Sequence, residues 1–310
     1  MRKVMTFVVA AFLPAMYIAA QESVAMDWLR ASRNPVTASL AGAGSASSVQ
    51  GTAFSFLQNP ALAPLEETTL GAAVSMNMTP SGEGHSNGLA AGAAWRLGKF
   101  SVHAGYASMR YPETALSSDG GGAAGTFKPS NMIIGGGLGF AFTDYLSLGA
   151  NIRFAKEQLS SKVAVSGINA DLAALFKMGG LGVSAGIYSL GPKVKSSGNR
   201  AYALPASAKI GASYDLAFGE SVIGFVADAD YYFNANLGAA AGVSYAFKDM
   251  VFVRAGFAYG SLKDDFTAAP VPTHFSFGAG LKLYGAQLDL CAKIIPDAGS
   301  AICGGLSYSF

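Results

Sequence analysis

Five charged residues of this 310-residue chain stand where they could meet: Arg153, Asp171, Lys209, Asp228 and Asp230. Each lies in a stretch where apolar and polar residues alternate, and each is on the polar phase, which puts them on one side of a sheet. Lys209 and Asp228 are symmetric about a turn near 218–220, with Asp230 one step further along. Arg153 and Asp171 are similarly placed about a join near 158–162. Opposite charges so arranged can form a selectivity or gating element, or internal ion pairs that fill an interior closed to solvent. The second is favoured, and in either case losing one member strands the other. Cys291 and Cys303 also share a side, within a residue or two of register. They can be a disulfide in an oxidising compartment or two free thiols.

Catalysis finds little support. His85, His103 and His274 are scattered, without Ser-His-Asp or His-x-x-His spacing, so no metal site or hydrolase triad is expected. The run Ile134-Gly135-Gly136-Gly137-Leu138-Gly139 resembles a nucleotide fingerprint only superficially. No strand–helix–strand context follows it, so it reads as strand glycines that narrow or curve a wall. We expect no enzyme and no cofactor. A net charge of +2 and no Lys/Arg cluster argue against a nucleic-acid partner.

The elements that carry these residues follow from composition and period. Hydrophobic residues make up 51% of the chain and charged ones only 13%, against about 25% in a usual soluble protein. Beyond the N-terminus, however, no run approaches the ~20 apolar residues of a spanning helix. From Thr68 onward the chain alternates in segments of around ten residues, the length a tilted strand needs to cross a bilayer. About fourteen are expected, near 68–77, 87–97, 99–109, 131–142, 145–157, 163–177, 181–190, 204–217, 221–233, 236–247, 251–260, 274–284, 286–295 and 301–310. Minimal turns at Gly98, Thr143-Asp144, Met178-Gly179-Gly180, Gly219-Glu220, Lys248-Asp249-Met250 and Gly285 alternate with longer joins at 78–86, 110–130, 158–162, 191–203, 261–273 and 296–300, the 233–236 join alone being short among these. Short periplasmic turns alternating with long outer loops are a property of outer-membrane barrels. Leu146, Leu148, Ala150, Ile152 and Phe154 should face lipid, with Ser147, Asn151 and Arg153 facing the lumen. Leu288, Leu290, Ala292 and Ile294 should likewise point out, and Gln287, Asp289, Cys291 and Lys293 in.

Residues 1–20 read as a signal peptide, with Arg2 and Lys3 before an apolar core and cleavage after Ala20. Residues 21–67 do not alternate and read as a folded N-terminal plug, leaving 68–310 as the barrel. The last segment, 301–310, should be the closing strand. Its Tyr308 and Phe310 should face outward and serve as an assembly signal. The expected fold class is all-β: a transmembrane antiparallel β-barrel of about fourteen strands with an N-terminal plug segment.

Several motifs carry a resemblance. The small-residue run before Asn59-Pro60-Ala61-Leu62 resembles the Asn-Pro-Ala hatch of FadL-like outer-membrane barrels. Closer still is the PorV/PorQ branch, which the middle of the chain resembles in a fixed order of motifs. These are Phe127-Lys128-Pro129-Ser130, the hairpin Phe142-Thr143-Asp144-Tyr145-Leu146-Ser147-Leu148-Gly149, the inward Asp171, Leu204-Pro205 and Ile210-Gly211. The resemblance implies the outer membrane of a Gram-negative bacterium of the Bacteroidota and a role in type IX secretion. The partners it implies are outer-membrane lipid and secretion-system components or cargo C-terminal domains, with a monomeric barrel sitting in a larger complex. The alternative is a FadL-like channel for hydrophobic small molecules. That needs a continuous apolar pocket in the lumen. Predicted lumenal residues such as Gly238, Ala240, Gly242 and Ser244 are small instead, which favours protein binding.

If Phe310 is an assembly signal, its deletion should abolish folding into the outer membrane. This would be read as loss of the heat-modifiable band in membrane fractions; an unchanged band would contradict the closing-strand argument.

Overall fold

A computed structural model describes residues 24–81, 84–117, 123–161, 163–196, 200–233, 236–260, 273–296 and 299–310. The expected signal peptide and nearly all of the expected loop 261–273 lie outside the described residues. In chain order the strands begin with β1 (Leu70–Ser81), β2 (Gly84–Leu97), β3 (Phe100–Arg110), β4 (Thr114–Ser117), β5 (Ala123–Phe127) and β6 (Ser130–Ala141). They continue with β7 (Leu146–Gln158), β8 (Ala164–Met178), β9 (Leu181–Leu190), β10 (Val194–Lys195), β11 (Ala201–Tyr202) and β12 (Ser207–Phe218). The last are β13 (Ser221–Tyr232), β14 (Asn236–Phe247), β15 (Val251–Gly260), β16 (His274–Leu283), β17 (Ala286–Ile295) and β18 (Gly299–Ser309).

Fourteen of them form one closed antiparallel barrel in which β1 pairs with β18. The pairs β4–β5 and β10–β11 stand apart as small hairpins within two of the longer joins. The expected all-β, fourteen-strand barrel is therefore the observed fold. Closure suits the outer surface, since lipid offers no partner to an unpaired edge.

Period-two alternation sets the sidedness. Leu138, Ile152, Ile210, Val253 and Leu290 are more than half exposed on the outside. Ser147, Asn151, Arg153, Asp289 and Cys291 are buried on the inside. Continuous apolar exterior on this scale far exceeds the few hundred Å² patches that soluble monomers tolerate. Phe100, Phe142, Tyr145, Phe218, Tyr308 and Phe310 are exposed around the tight-turn end, where an aromatic girdle would meet the lipid headgroups. No helix among the described residues is long and apolar enough to cross a membrane.

All the tight turns but the one at Thr143–Asp144 close by residues of positive φ. Gly98, Gly179, Gly219 and Gly285 adopt it, and Lys248 and Asp249 adopt it together in the three-residue turn that reverses β14 into β15. The first hairpin differs from expectation. The ladder of β1 and β2 runs on to the pair Ser81 and Gly84, so the join is far shorter than 78–86. The polar residues of 78–86, such as Thr79 and Ser86, suggested a loop, but strand pairing continues beyond the apolar band, where polar side chains carry no penalty. β12 also begins later than 204, because Leu204 and Pro205 are buried beneath the rim and lead into the strand.

The N-terminal segment, from Val24 to Thr69, packs against the inward faces of the strands. Its only α-helix among the described residues, Pro35–Ser39, has proline at its start and Asn34 as N-cap, whose side chain accepts from Val36 N–H at 3.0 Å. Phe56 is fully buried against the inward Ala90, Ala107 and Ile133, in a cluster with Met26 and Phe54. Inward glycines make room for the segment. A Cβ at Gly149 would strike the Pro60–Ala61 backbone, and one at Gly256 the Leu40–Ala41 backbone.

Gly256→Val should leave the barrel closed while forcing residues 35–45 off the wall. Overpacking of this kind costs about 1–3 kcal/mol, so proteolysis within the segment should accelerate about tenfold or more, with heat modifiability unchanged. Cleavage at the parent rate would show that the segment does not depend on that seat.

Candidate functional site

The interior of the barrel is the candidate site, and its strands supply a ring of short polar side chains aimed at the N-terminal backbone. Ser75 donates to Arg33 O at 2.7 Å, Ser276 to Ser39 O at 2.9 Å, Ser213 to Ala46 O at 3.0 Å, and Asn151 to Ser55 O at 3.0 Å. Ser147 donates to Ala61 O. Serine is short enough for the segment's main chain to come close, and each bond satisfies a buried carbonyl. Lys177 adds a polar clamp, bonding Ser48 Oγ and Glu66 Oε1 at 2.8 Å each.

Asp228 is the main charged seat. Its carboxylate accepts from Ser45 N–H at 3.1 Å and from Ser45 Oγ at 2.9 Å. Lys209 lies diagonally, 4.0 Å from Asp228, and nearer to Asp230 at 3.3 Å. The register explains this: Lys209 is directly across from Asp230, and Asp228 is across from Gly211. Asp228 is thus turned chiefly to the segment, and Asp230 is the direct cross-strand partner of the lysine.

Arg153 and Asp171 are brought together as a fully buried ion pair, although Arg153 is directly across from Asn169. Arg153 Nε donates to Asn169 at 2.9 Å, and Asp171 accepts from Ser189 N–H at 2.8 Å. Asn59 holds its own turn: its side chain accepts from Ala61 N–H at 2.8 Å and donates to Ser45 O at 2.8 Å, with fully buried Pro60 between them. Cys291 and Cys303 are directly in register, with Cα atoms 5.0 Å apart, and are joined by a disulfide. Tyr308 and Phe310 are exposed, and the Phe310 main chain bonds Thr69 and Leu70 at the foot of β1.

Sequence reasoning missed several members of this interior. Arg254 and Asp289 form a second buried ion pair at 2.7 Å. Both lie on the inward phase; the alternation placed Asp289 in the lumen but left its partner Arg254 unnamed. His103 shares a hydrogen bond with Asn151. Arg33, 7% exposed, is held in the segment with its guanidinium 5.7 Å from the Trp28 ring. Burial pulls it below the ordinary arginine value, against the opposing effect of Tyr111.

Two cavities flank the segment. One, of about 560 Å³, opens toward the tight-turn end and is lined by polar groups that include Lys177, Asp215, Arg254 and Asp289. The other, of about 440 Å³, lies toward the long-loop end and is more apolar than polar. Met109, Ala240, Ala258 and the Cys291–Cys303 bridge form part of its wall. The small residues read as a lumen without an apolar path have a different meaning here. Gly242 accommodates Leu40 of the segment, and the apolar pocket lies beyond it, beside Ala240.

No protein-family model matches the chain, and no curated protein matches it by sequence. Solved structures share its fold. The toluene transporter TodX of Pseudomonas putida is 13% identical, with 91% of this chain and 98% of that one covered and a TM-score of 0.64. The monoaromatic hydrocarbon channel CymD is also 13% identical over the same shares, with a TM-score of 0.63. A FadL homologue of Pseudomonas aeruginosa is 13% identical over 89% of this chain and 96% of that one, with a TM-score of 0.54. What this chain shares with them is the fold, a closed antiparallel outer-membrane β-barrel.

Arg153→Met should destabilise the barrel by about 3–5 kcal/mol, because Asp171 is left charged and buried. Urea unfolding in lipid vesicles measures this. The double variant Arg153→Met/Asp171→Leu should regain much of the loss; equal loss in both would show that the pair itself contributes the stability.

Proposed function

We propose that this protein is an outer-membrane channel for small hydrophobic molecules, with residues 21–67 acting as a plug in its lumen. The observation that carries this reading is the cavity of about 440 Å³ at the long-loop end, enclosed by barrel wall and plug and lined mainly by apolar atoms. Its size and character are those of a small-molecule site. Two barrels of the same fold, TodX and CymD, are a toluene transporter and a monoaromatic hydrocarbon channel. In this reading the long-loop end faces outward and the tight-turn end faces the periplasm, as in outer-membrane barrels generally. A molecule enters the outer cavity and passes inward when the plug shifts on its serine and Asp228 seats. The serine seats are single hydrogen bonds, each with a net worth of about 1 kcal/mol, and the two bonds to the Asp228 carboxylate are worth about 1.5–3 kcal/mol each, so local release costs far less than opening the wall. The buried ion pairs then act as structural fill, holding the strands around the plug.

A second reading rests on a different observation, the ordered series of motifs from Phe127 to Gly211 that resembles the PorV/PorQ branch. Under it the barrel is a protein-binding component of type IX secretion in a Bacteroidota outer membrane. The plug stays shut, and the outer loops hold cargo C-terminal domains or other secretion components.

Cells producing the protein in their outer membrane should take up radiolabelled toluene several-fold faster than cells carrying empty vector. Equal uptake would overturn the channel reading. Purification in native detergent then tests the second: co-purified secretion components or cargo C-terminal domains would support it, and an empty pull-down would remove it.

A further inference from the structure

The outer cavity holds more positive charge than its partners neutralise. Four Lys and Arg side chains line it: Arg30, Arg33, Lys209 and Lys293. Arg30 pairs with Asp27 at 3.1 Å, and Lys209 with Asp230 at 3.3 Å. Arg33 and Lys293 pair with no carboxylate among the described residues. Arg33 is 93% buried by its 7% exposure; its Nη1 reaches Ser108 O at 3.4 Å, and its Nη2 has no hydrogen-bond partner. Lys293 stands on the inward phase of β17 between Ser276 and Ala301 and lines the same cavity as Arg33.

Two neighbouring cations in a largely apolar cavity are costly unless an anion lies between them. A guanidinium with an unused N–H and an ammonium nearby would together supply charge-assisted donors from two directions. The rest of the wall combines apolar groups, Met109, Ala240, Ala258 and the Cys291–Cys303 bridge, with the polar side chains of Asn77, Thr79, Tyr111 and His274. On the inner side the cavity is floored by Ala38, Ala41 and Gly42 of the N-terminal segment, which leaves no straight bore for a long chain.

We propose that this cavity binds a compact anionic amphiphile, a carboxylate on a small apolar or aromatic body, with the carboxylate between Arg33 and Lys293. The inference rests on the channel reading and deepens it by naming the substrate class. It also gives the ligand a mechanical role. Arg33 belongs to the plug and Lys293 to the wall, so the bound carboxylate bridges the moving part and the fixed one. Trp28 lies over the same site, and its ring reports on occupancy.

The test uses the full chain in a non-ionic detergent, in a Trp95→Phe background so that Trp28 is the only fluorophore of its kind. The probes are 4-methylbenzoate, toluene and oleate. Quenching by 4-methylbenzoate should saturate, toluene should bind more weakly, and Lys293→Met should weaken 4-methylbenzoate about tenfold or more while leaving toluene unchanged. Arg33→Lys, which keeps the charge and loses the fork, should retain part of the affinity, and heat modifiability confirms that both variants fold. Toluene binding as tightly as 4-methylbenzoate, or no effect of Lys293→Met, would overturn the anion site; oleate binding the tightest would overturn the compact ligand. Toluene uptake without carboxylate binding would leave the channel and remove this site, whereas carboxylate binding without uptake would do the reverse.

Discussion

Strands β1 and β18 pair over eight positions, from Gly71 with Ser309 to Met78 with Ile302, and this pairing removes the last free edge of the sheet. Lipid cannot hydrogen-bond a backbone, so a barrel embedded in it must close on itself. Closure forces the rest. Once the sheet is a cylinder, one phase of every strand faces hydrocarbon and the other faces an interior of fixed width. Fourteen strands leave that interior too wide for wall side chains alone to fill. The N-terminal segment fills it, and the wall is built to receive the segment: glycine where main chain meets main chain, serine where a carbonyl needs a donor, Asp228 where Ser45 offers two.

Packing and chemistry inside the barrel are consequently one problem. Phe56 sits on Gly105 and Gly92, Leu40 on Gly242 and Gly256, and the apolar body of the segment is thereby pressed onto the wall. Charges that would be costly alone are matched within the wall, Arg153 with Asp171 and Arg254 with Asp289. Where the segment ends its contact, space remains. The polar cavity lies on one side and the more apolar one on the other, and the segment is the only body among the described residues that separates them.

Much of this was legible in the residues. Alternation from Leu146 to Phe154 and from Gln287 to Ile294 assigned the correct face to each side chain, because lipid and lumen impose opposite chemistry on successive positions. The tight turns were legible because Gly98, Gly179, Gly219 and Gly285 mark a backbone conformation that other residues avoid. Two things were not. The partner of Lys209 depends on register, which the two-residue turn Gly219–Glu220 sets; a small error in the centre of that turn exchanges Asp230 for Asp228. The meaning of the inward glycines depends on which distant piece of chain lies against them, and Gly242 gives no local sign that Leu40 is its neighbour. Small residues were therefore read as a poor ligand wall when they are seats for the segment.

The account stands on that segment being seated inside the closed barrel and shielded from solvent there, less firmly held than the wall but far more firmly than the exposed joins. Hydrogen–deuterium exchange on the full chain in lipid nanodiscs measures this directly. The amides from Val36 to Ala61, Ser45 among them, should exchange slowly, about a hundredfold or more below the exposed joins though faster than the barrel strands. Exchange at the rate of the exposed joins, with the strands still protected, would contradict the seating of the segment and the division of the lumen that follows from it.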